Sequence, residues 1–396
     1  MKIIIVSNYY TPEIGAAPSR ISMLAEALIK SGDDVTVVCP LPNYPYGKIF
    51  DEYKKKIYKK EVINGVQVYR YWIYPSVSSG VIQRVLSMFS FSISHLFVLI
   101  EYWKIKEADW IIVQNSPLMV SFLAIAFLGK INNRIALNIS DLWPLSALEL
   151  GVVKKGRFYS LLEWIEKYNY KKAKLILGQS EGIISHVKSI VDRPSFLYRN
   201  YQKYDDDYHD DASQKSTDTF KIIYAGLLGV AQGVLSIIEN IDFKNLQAEL
   251  HIYGEGNEVD NIKSYIDSHP ASNVFYCGIL NKQDIQKKIS TYNASIVPLR
   301  KEIKGAVPSK IFELAQRNVP ILFCGGGEGA KMVDDLRIGY TSPPGDFTKL
   351  SENIQKIRGL SLHEYNQLVE SCNHASIAHF NFDKQITIFR QTLINA

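Results

Sequence analysis

The chain holds 396 residues, more than one ordinary core accommodates, and at about 150 residues per domain it divides into two or three. Hydrophobic residues make up 46% and charged residues 21%, which excludes global disorder, collagen and a disulfide-framed mini-protein. The net charge of +5 is uneven: residues 1–200 carry 25 Lys/Arg against 16 Asp/Glu, and residues 201–396 carry 20 against 24, giving +9 and −4.

Residues 2–8 form a short β-branched run, soon followed by Pro12 and Glu13. That is too short for a secretion signal and reads as a first buried strand, so the chain is expected to stay in the cytoplasm. Residues 17–30 place Ile21, Leu24, Ala25 and Leu28 at helical spacing, and Ser31-Gly32 ends the helix. Further strands are expected at 35–39, 66–73, 110–113, 135–139 and 175–177. Apolar strands separated by helices predict a parallel sheet covered on both faces.

Two stretches of the first half raise a membrane question. Residues 85–100 carry no Asp, Glu, Lys or Arg, yet 16 residues fall short of the roughly 20 that a spanning helix needs. They read either as a core helix or as an apolar surface that dips into a membrane interface. Residues 110–129 are also uncharged, but Gln114-Asn115-Ser116-Pro117 divides them into a strand, a turn and a helix. Basic clusters accompany both stretches: Lys54-Lys55-Lys56, Lys59-Lys60, Lys154-Lys155-Gly156-Arg157 and Lys171-Lys172. They suit an anionic leaflet or an ordinary solvated surface.

From Tyr201 to Thr219 the pattern stops in an acidic, aperiodic stretch around Asp205-Asp206-Asp207 and Asp210-Asp211, which reads as a linker. The alternation then restarts, with strands at 220–224, 248–253, 274–277, 295–297 and 320–323 and helices at 234–241, 284–292 and 309–316. Two doubly wound domains follow, divided near residue 200. Ligands bind beyond the carboxyl ends of such strands, so the site is expected in a cleft between two facing sheets.

Cys39, Cys277, Cys324 and Cys372 are too scattered for a zinc site or a disulfide framework, which fits a reducing compartment. No GxGxxG follows a strand, and there is no GxxxxGK[ST], HExxH or GxSxG. Their absence disfavours a standard dinucleotide fold, a P-loop NTPase, a zinc protease and an α/β-hydrolase. Candidate site residues lie elsewhere. Gly15, in the loop after the first strand, permits close backbone approach to a ligand. In the second half Gly226 and Gly229, Gly254 and Gly256, Gly278, and Gly325 to Gly329 with Glu328 each follow a strand, a pattern suited to a nucleotide or phosphate. Pro308 and Ser309 start a helix whose N-terminus favours a diphosphate, with Lys310 adding a cation. Glu313 either accepts from a ribose diol or pairs with Lys310 one turn away.

Taken together, "PEIGAAPSR", "YPYGKIFDEY", "NISDLWP" with Asp141, the glycine turns and the PSKxxE of residues 308–313 resemble bacterial GT4-family glycosyltransferases of the GT-B fold, most of all those that build O-antigen, capsule or colanic-acid-type glycans. The resemblance spans nearly the whole chain. It implies two Rossmann-like α/β domains: an acceptor domain at 1–200, a nucleotide-sugar domain at 201–378 and a helix at 379–396 that crosses back. It implies a retaining, metal-independent transferase with no cofactor, taking a nucleotide sugar (a UDP-linked deoxyamino sugar in this subgroup) and a polyprenyl-diphosphate-linked glycan acceptor. The chain would work peripherally at the bacterial inner membrane through its basic N-terminal domain, with no nucleic-acid partner. Glu313 matches the second Glu of the family's E-x7-E motif, while Gly305 stands at the first. Leu227 and Gln232 stand where the family carries diphosphate cations, so Lys310, with Arg199 or Arg300, is expected to supply the charge. Asp141 matches the acceptor-side acidic residue or else is a helix N-cap. A nucleotide-sugar 2-epimerase of the same fold and a catalytically silent nucleotide-sugar-binding module are the alternatives.

Overall fold

The computed structural model describes residues 1–76, 81–149, 151–203 and 219–396; the acidic run around Asp205 lies outside these. The chain forms two units, Met1–Asn200 with Asp383–Ala396, and Tyr201–Phe382.

The first unit is built on an eight-stranded sheet: β1 (Lys2–Val6), β2 (Asp34–Pro40), β3 (Tyr58–Ile63), β4 (Val66–Tyr71), β5 (Trp110–Gln114), β6 (Ile135–Ile139), β7 (Leu175–Gly178) and β8 (Ser195–Leu197). Its order is β3-β4-β2-β1-β5-β6-β7-β8. Every neighbouring pair is parallel except β3 with β4. Strands β1, β5, β6 and β7 are buried almost throughout, because helices cover both faces. The expected strand–turn–helix division of 110–129 is observed as β5, a turn and the helix Leu118–Leu128. Residues 85–100 form most of the helix Val81–Ser94 and a 3-10 turn, His95–Glu101.

Three strands escaped the sequence reading: β3 and β8 here, and Gly339–Ser342 in the second unit. Strand β3 alternates exposed and half-buried residues at the sheet edge, and its lysines read as a charge cluster rather than as a strand. The hairpin signal was the Asn64-Gly65 pair, whose positive φ values of 50° and 81° match the twist of the flanking strands. Strand β8 has three residues, too few for a periodicity.

The helix Phe382–Asn395 docks on the first unit. Trp110 Nε1 donates to the Leu393 carbonyl at 2.8 Å. The Gln385 amide exchanges hydrogen bonds with the Arg199 backbone at 2.9 and 3.0 Å. Phe389 is buried against Phe196 and Tyr198. Arg390 donates to both oxygens of the buried Asp33 at 2.8 and 2.9 Å.

The second unit has six parallel strands, β9 (Phe220–Ala225), β10 (Ala248–Tyr253), β11 (Val274–Tyr276), β12 (Ala294–Pro298), β13 (Ile321–Cys324) and β14 (Gly339–Ser342). Their order, β11-β10-β9-β12-β13-β14, is that of a dinucleotide-binding sheet, with the reversal between β9 and β12. The turns at its carboxyl edge are joined backbone to backbone. Gly226 N donates to Tyr253 O, Leu228 N to Glu255 O, Glu258 N to Leu228 O and Gly254 N to Gly278 O, all at 2.8–3.0 Å. A Cβ on Gly254 would lie 1.8 Å from the Gly226 oxygen, and one on Gly256 2.1 Å from the Leu228 oxygen. The adjacent turn therefore accounts for both glycines, whatever ligand binds there.

Two outcomes follow from these contacts. Gly254→Ala should cost about 3 kcal/mol or more in urea unfolding, whereas Gly278→Ala, with nothing within 4 Å, should cost about 1–2 kcal/mol for its positive φ alone. Burial pushes the Asp33 carboxyl up, but Arg390 and the N-terminal ammonium of Met1, which donates to Asp33 Oδ1 at 2.7 Å, together outweigh it and hold Asp33 below the usual carboxylate range. Its stabilising contribution is thus complete above about pH 4 and lost as pH falls through the depressed value. Hydrogen exchange of 382–395 should accelerate at that acid limb, and Asp33→Asn should remove the pH dependence.

Candidate active site

At the carboxyl edge of the second sheet, Gly226 and Gly229 follow β9, Gly254 and Gly256 follow β10, and Gly325 to Gly329 follow β13. The stretch from Arg300 to Ser309 follows β12 and leads into the helix Lys310–Gln316. The sequence-identified residues of the second half therefore meet on one edge, around the switch point between β9 and β12.

Ser309 precedes the 310–316 helix in helical conformation, and its side chain caps no amide. Lys310 Nζ donates to Glu313 Oε2 at 2.7 Å, so the ion pair weighed from the sequence is formed. An ammonium has three donors, and Lys310 remains partly exposed, so it keeps capacity for a second anion. Arg300 is exposed at the end of β12 and lays its stem over Gly233. Leu227 is exposed, while Gln232 Oε1 is buried with no hydrogen-bond partner. Arg199 belongs to the first unit, where it is buried beside Gln385. Glu328 opens the helix Gly327–Asp335.

Sequence reasoning missed Glu302. Its carboxylate stands against the glycine turn: a Cβ on Gly326 would lie 2.5 Å from Oε2, and one on Gly327 2.9 Å from Oε1. A side chain on either glycine would displace it. The signal was present three residues before Gly305, at a position that a fixed E-x7-E spacing passes over.

In the first unit the sheet reverses between β1 and β5, and Gly15 and Asp141 lie on its carboxyl edge, after β1 and β6. Gly15 has φ 146°, and a Cβ there would lie 3.1 Å from the Tyr44 ring. The loop around it is organised by Glu13, which accepts from the backbone amides of Tyr10, Asn43 and Tyr44 at 3.2, 2.9 and 2.9 Å. Burial pushes the Glu13 carboxyl above its usual range, and those amides oppose the rise. The buried Arg70 donates to the Thr11 carbonyl and to Glu61, tying the same loop to the β3–β4 hairpin.

Arg20, on the helix Ala16–Lys30, donates to Ser140 Oγ at 2.9 Å, and Gln179 Nε2 donates to the same oxygen at 3.2 Å. Asp141 follows Ser140. Asp141 is exposed, and the next helix begins only at Leu145, so Asp141 does not stand at its N-cap position. Surrounding protein pushes its carboxyl above the usual range, and Arg20 opposes this. Arg20 thus sets a positive charge near an accessible carboxylate, a role with no local signal in the sequence.

One face of the first unit is apolar. The helix Leu118–Leu128 lies between Val81–Ser94 and Arg157–Lys172. These helices expose Phe89 and Ile93, Phe127, and Leu161 and Trp164. Basic residues rim the surface, with Lys130 over Phe127, Lys172 over Tyr168 and Lys106 over Trp103. Among the described residues no helix is long and apolar enough to cross a membrane.

Residues 219–358, within the second unit, match the family model of the glycosyl transferases group 1. The probable glycosyltransferase WbjE of Pseudomonas aeruginosa is 25% identical over 240 residues, 57% of this chain and 60% of WbjE. WcaI of Escherichia coli K12, named for colanic acid biosynthesis, is 27% identical over 158 residues, 40% of this chain and 38% of WcaI. The matches thus span less than two thirds of either relative. Among solved structures, sucrose-phosphate synthase from Thermosynechococcus elongatus superposes with a TM-score of 0.76 at 14% identity, over 100% of both chains. WaaG, a glycosyltransferase of lipopolysaccharide biosynthesis, gives 0.67 at 12% identity, again over 100% of both. Anabaena HepE in complex with UDP gives 0.70 at 13% identity over 100% of both. The fold class is that of the GT-B glycosyltransferases.

Glu13→Ala should strand three amides and cost about 1–3 kcal/mol in urea unfolding. Glu13→Gln, which retains one acceptor oxygen, should cost less.

Proposed function

We propose that this chain is a retaining glycosyltransferase of surface-polysaccharide biosynthesis, moving a sugar from a nucleotide-sugar donor to a polyprenyl-diphosphate-linked glycan. The observation that carries the reading is the group 1 domain at 219–358, whose carboxyl sheet edge collects the glycine turns, Lys310 and Glu313. The UDP-bound fold neighbour supports a nucleotide-sugar donor.

In this reading the edge of the second unit holds the donor. Lys310, with Arg300, counters the charge that develops on the departing nucleoside diphosphate, an electrostatic contribution that needs no metal. Glu313 accepts from the ribose diol, exchanging part of its bond to Lys310 for that contact. Glu302 supplies the carboxylate toward the donor sugar that Gly305 cannot. Asp141 orients the acceptor hydroxyl, which attacks on the face that the leaving group vacates, and the departing phosphate takes its proton. The donor in this proposal is a UDP-linked deoxyamino sugar. The apolar, lysine-rimmed face of the first unit rests peripherally on the cytoplasmic leaflet of the inner membrane, its exposed rings meeting the interface and its lysines the anionic head groups.

The test is transfer from a panel of UDP- and GDP-sugars to a polyprenyl-diphosphate-linked sugar. Transfer with retained anomeric configuration is expected. Lys310→Ala should lower kcat by about 10²–10³, and Glu313→Ala should weaken nucleotide binding about tenfold. Glu302→Gln should change the ranking of donor sugars while leaving free-nucleotide affinity within about twofold. Epimerised free nucleotide sugar, or binding without turnover across every donor, sinks the proposal.

A further inference from the structure

The first unit carries a second apolar feature beside its helical face. Tyr71 and Trp72 at the end of β4, Ile57 and Tyr58 at the start of β3, and Phe97 and Ile100 of the 95–101 turn enclose a groove of about 530 Å³. Ile57, Phe97 and Ile100 are 77%, 62% and 81% exposed, so among the described residues the groove stands open to a ligand. Its polar lining is sparse. Ser94 Oγ is already used on the Trp72 carbonyl, and Glu101 faces Lys60. A peptide backbone laid there would find few hydrogen-bond partners. A hydrocarbon chain needs none.

Two observations identify the chain. The first is charge. Lys55, Lys56, Lys60 and Lys106 lie exposed in the segments that flank the groove, and Lys104 stands over Tyr69 beside it. An anionic amphiphile meets apolar walls and a cationic rim together. The second is position. Strand β4 runs parallel to β2, and β2 to β1, so Tyr71 marks the carboxyl edge of the sheet, the edge that carries Gly15 and Asp141. From β4 to β6 there are four strand spacings, about 19 Å. A lipid whose phosphorylated head group lies near Asp141 has its tail within reach of the groove.

We propose that this groove holds the proximal isoprenoid units of the lipid-linked acceptor, drawing the chain out of the bilayer and fixing the head group at the sheet edge. This rests on the reading of the acceptor as lipid-linked. It makes the first unit a reader of the lipid as well as of the sugar. Each additional buried methylene should tighten binding about fourfold.

The test measures binding of farnesyl diphosphate, below its micelle concentration, against inorganic pyrophosphate. It compares the wild-type chain with Phe97→Asp/Ile100→Asp and with Leu161→Asp/Trp164→Asp. All four positions are exposed, so the variants fold. Wild type should bind farnesyl diphosphate at least tenfold more tightly than pyrophosphate. The 97/100 variant should lose that preference, and the 161/164 variant should keep it within twofold while losing affinity for vesicles of phosphatidylcholine and phosphatidylglycerol. The proposal is overturned if wild type shows no chain preference, or if the 97/100 variant retains it. Sugar transfer to the polyprenyl acceptor with an unchanged KM in the 97/100 variant would discard the groove and keep the transferase. Loss of farnesyl binding in that variant, with no transfer from any donor in wild type, would do the reverse.

Discussion

A parallel strand buried on both faces has no place for a charged side chain. That constraint organises both units. Strands β1, β5, β6 and β7, and in the other sheet β12 and β13, are buried along their whole or nearly whole length. Ionisable groups are displaced to the turns at the strand ends. At the carboxyl edge those turns have to share space, and Gly254 and Gly256 let the β9 and β10 turns pair through their backbones with no Cβ between them. Lys310, Glu313 and Glu302, and in the other unit Arg20 and Asp141, stand on a rim that the sheets themselves cannot occupy. The chemistry sits there because these buried strands carry no charged side chain past their first residue.

The parts legible in the sequence follow the same logic. The run at 135–139 was located to the residue because it is buried on both faces, and 248–253 because its buried residues alternate with half-buried Glu249 and His251. What escaped was half-exposed. In β3 the outward residues include Tyr58 and Lys60, and the strand resembles a basic cluster until the Asn64-Gly65 turn is weighed. At the site, motif spacing found Lys310 and Glu313 but not Glu302 or Arg20. Those two act through tertiary proximity, one across the chain to Gly326 and the other across 120 residues to Ser140. No local pattern encodes a contact of that length.

The charge asymmetry also acquires a physical form. Several of the lysines that make the first half +9 lie over aromatic rings, Lys106 over Trp103 and Lys130 over Phe127 among them. A lysine so placed covers apolar area with its stem and keeps its ammonium in water. The basic character of the first unit and its exposed apolar character are therefore one surface property. Acidity in the second half is concentrated in the run near Asp205: without its five acids that half would be +1.

The helix Phe382–Asn395 belongs to the first unit although the chain reaches it only after tracing the second. In polymer terms the second unit is an insertion, and the first is assembled from two segments separated by 182 residues, Tyr201 to Phe382. During synthesis the eight-stranded sheet emerges early, with Asp33 already paired to the N-terminal ammonium, but it lacks Arg390 and the cover for Trp110 until the inserted unit has been made. The second unit can thus complete its core first, and the first unit closes around the returning helix afterwards. A nick in the segment between β8 and β9 would leave the two fragments joined through that same helix, held by Arg390, Gln385 and Phe389 rather than by a peptide bond.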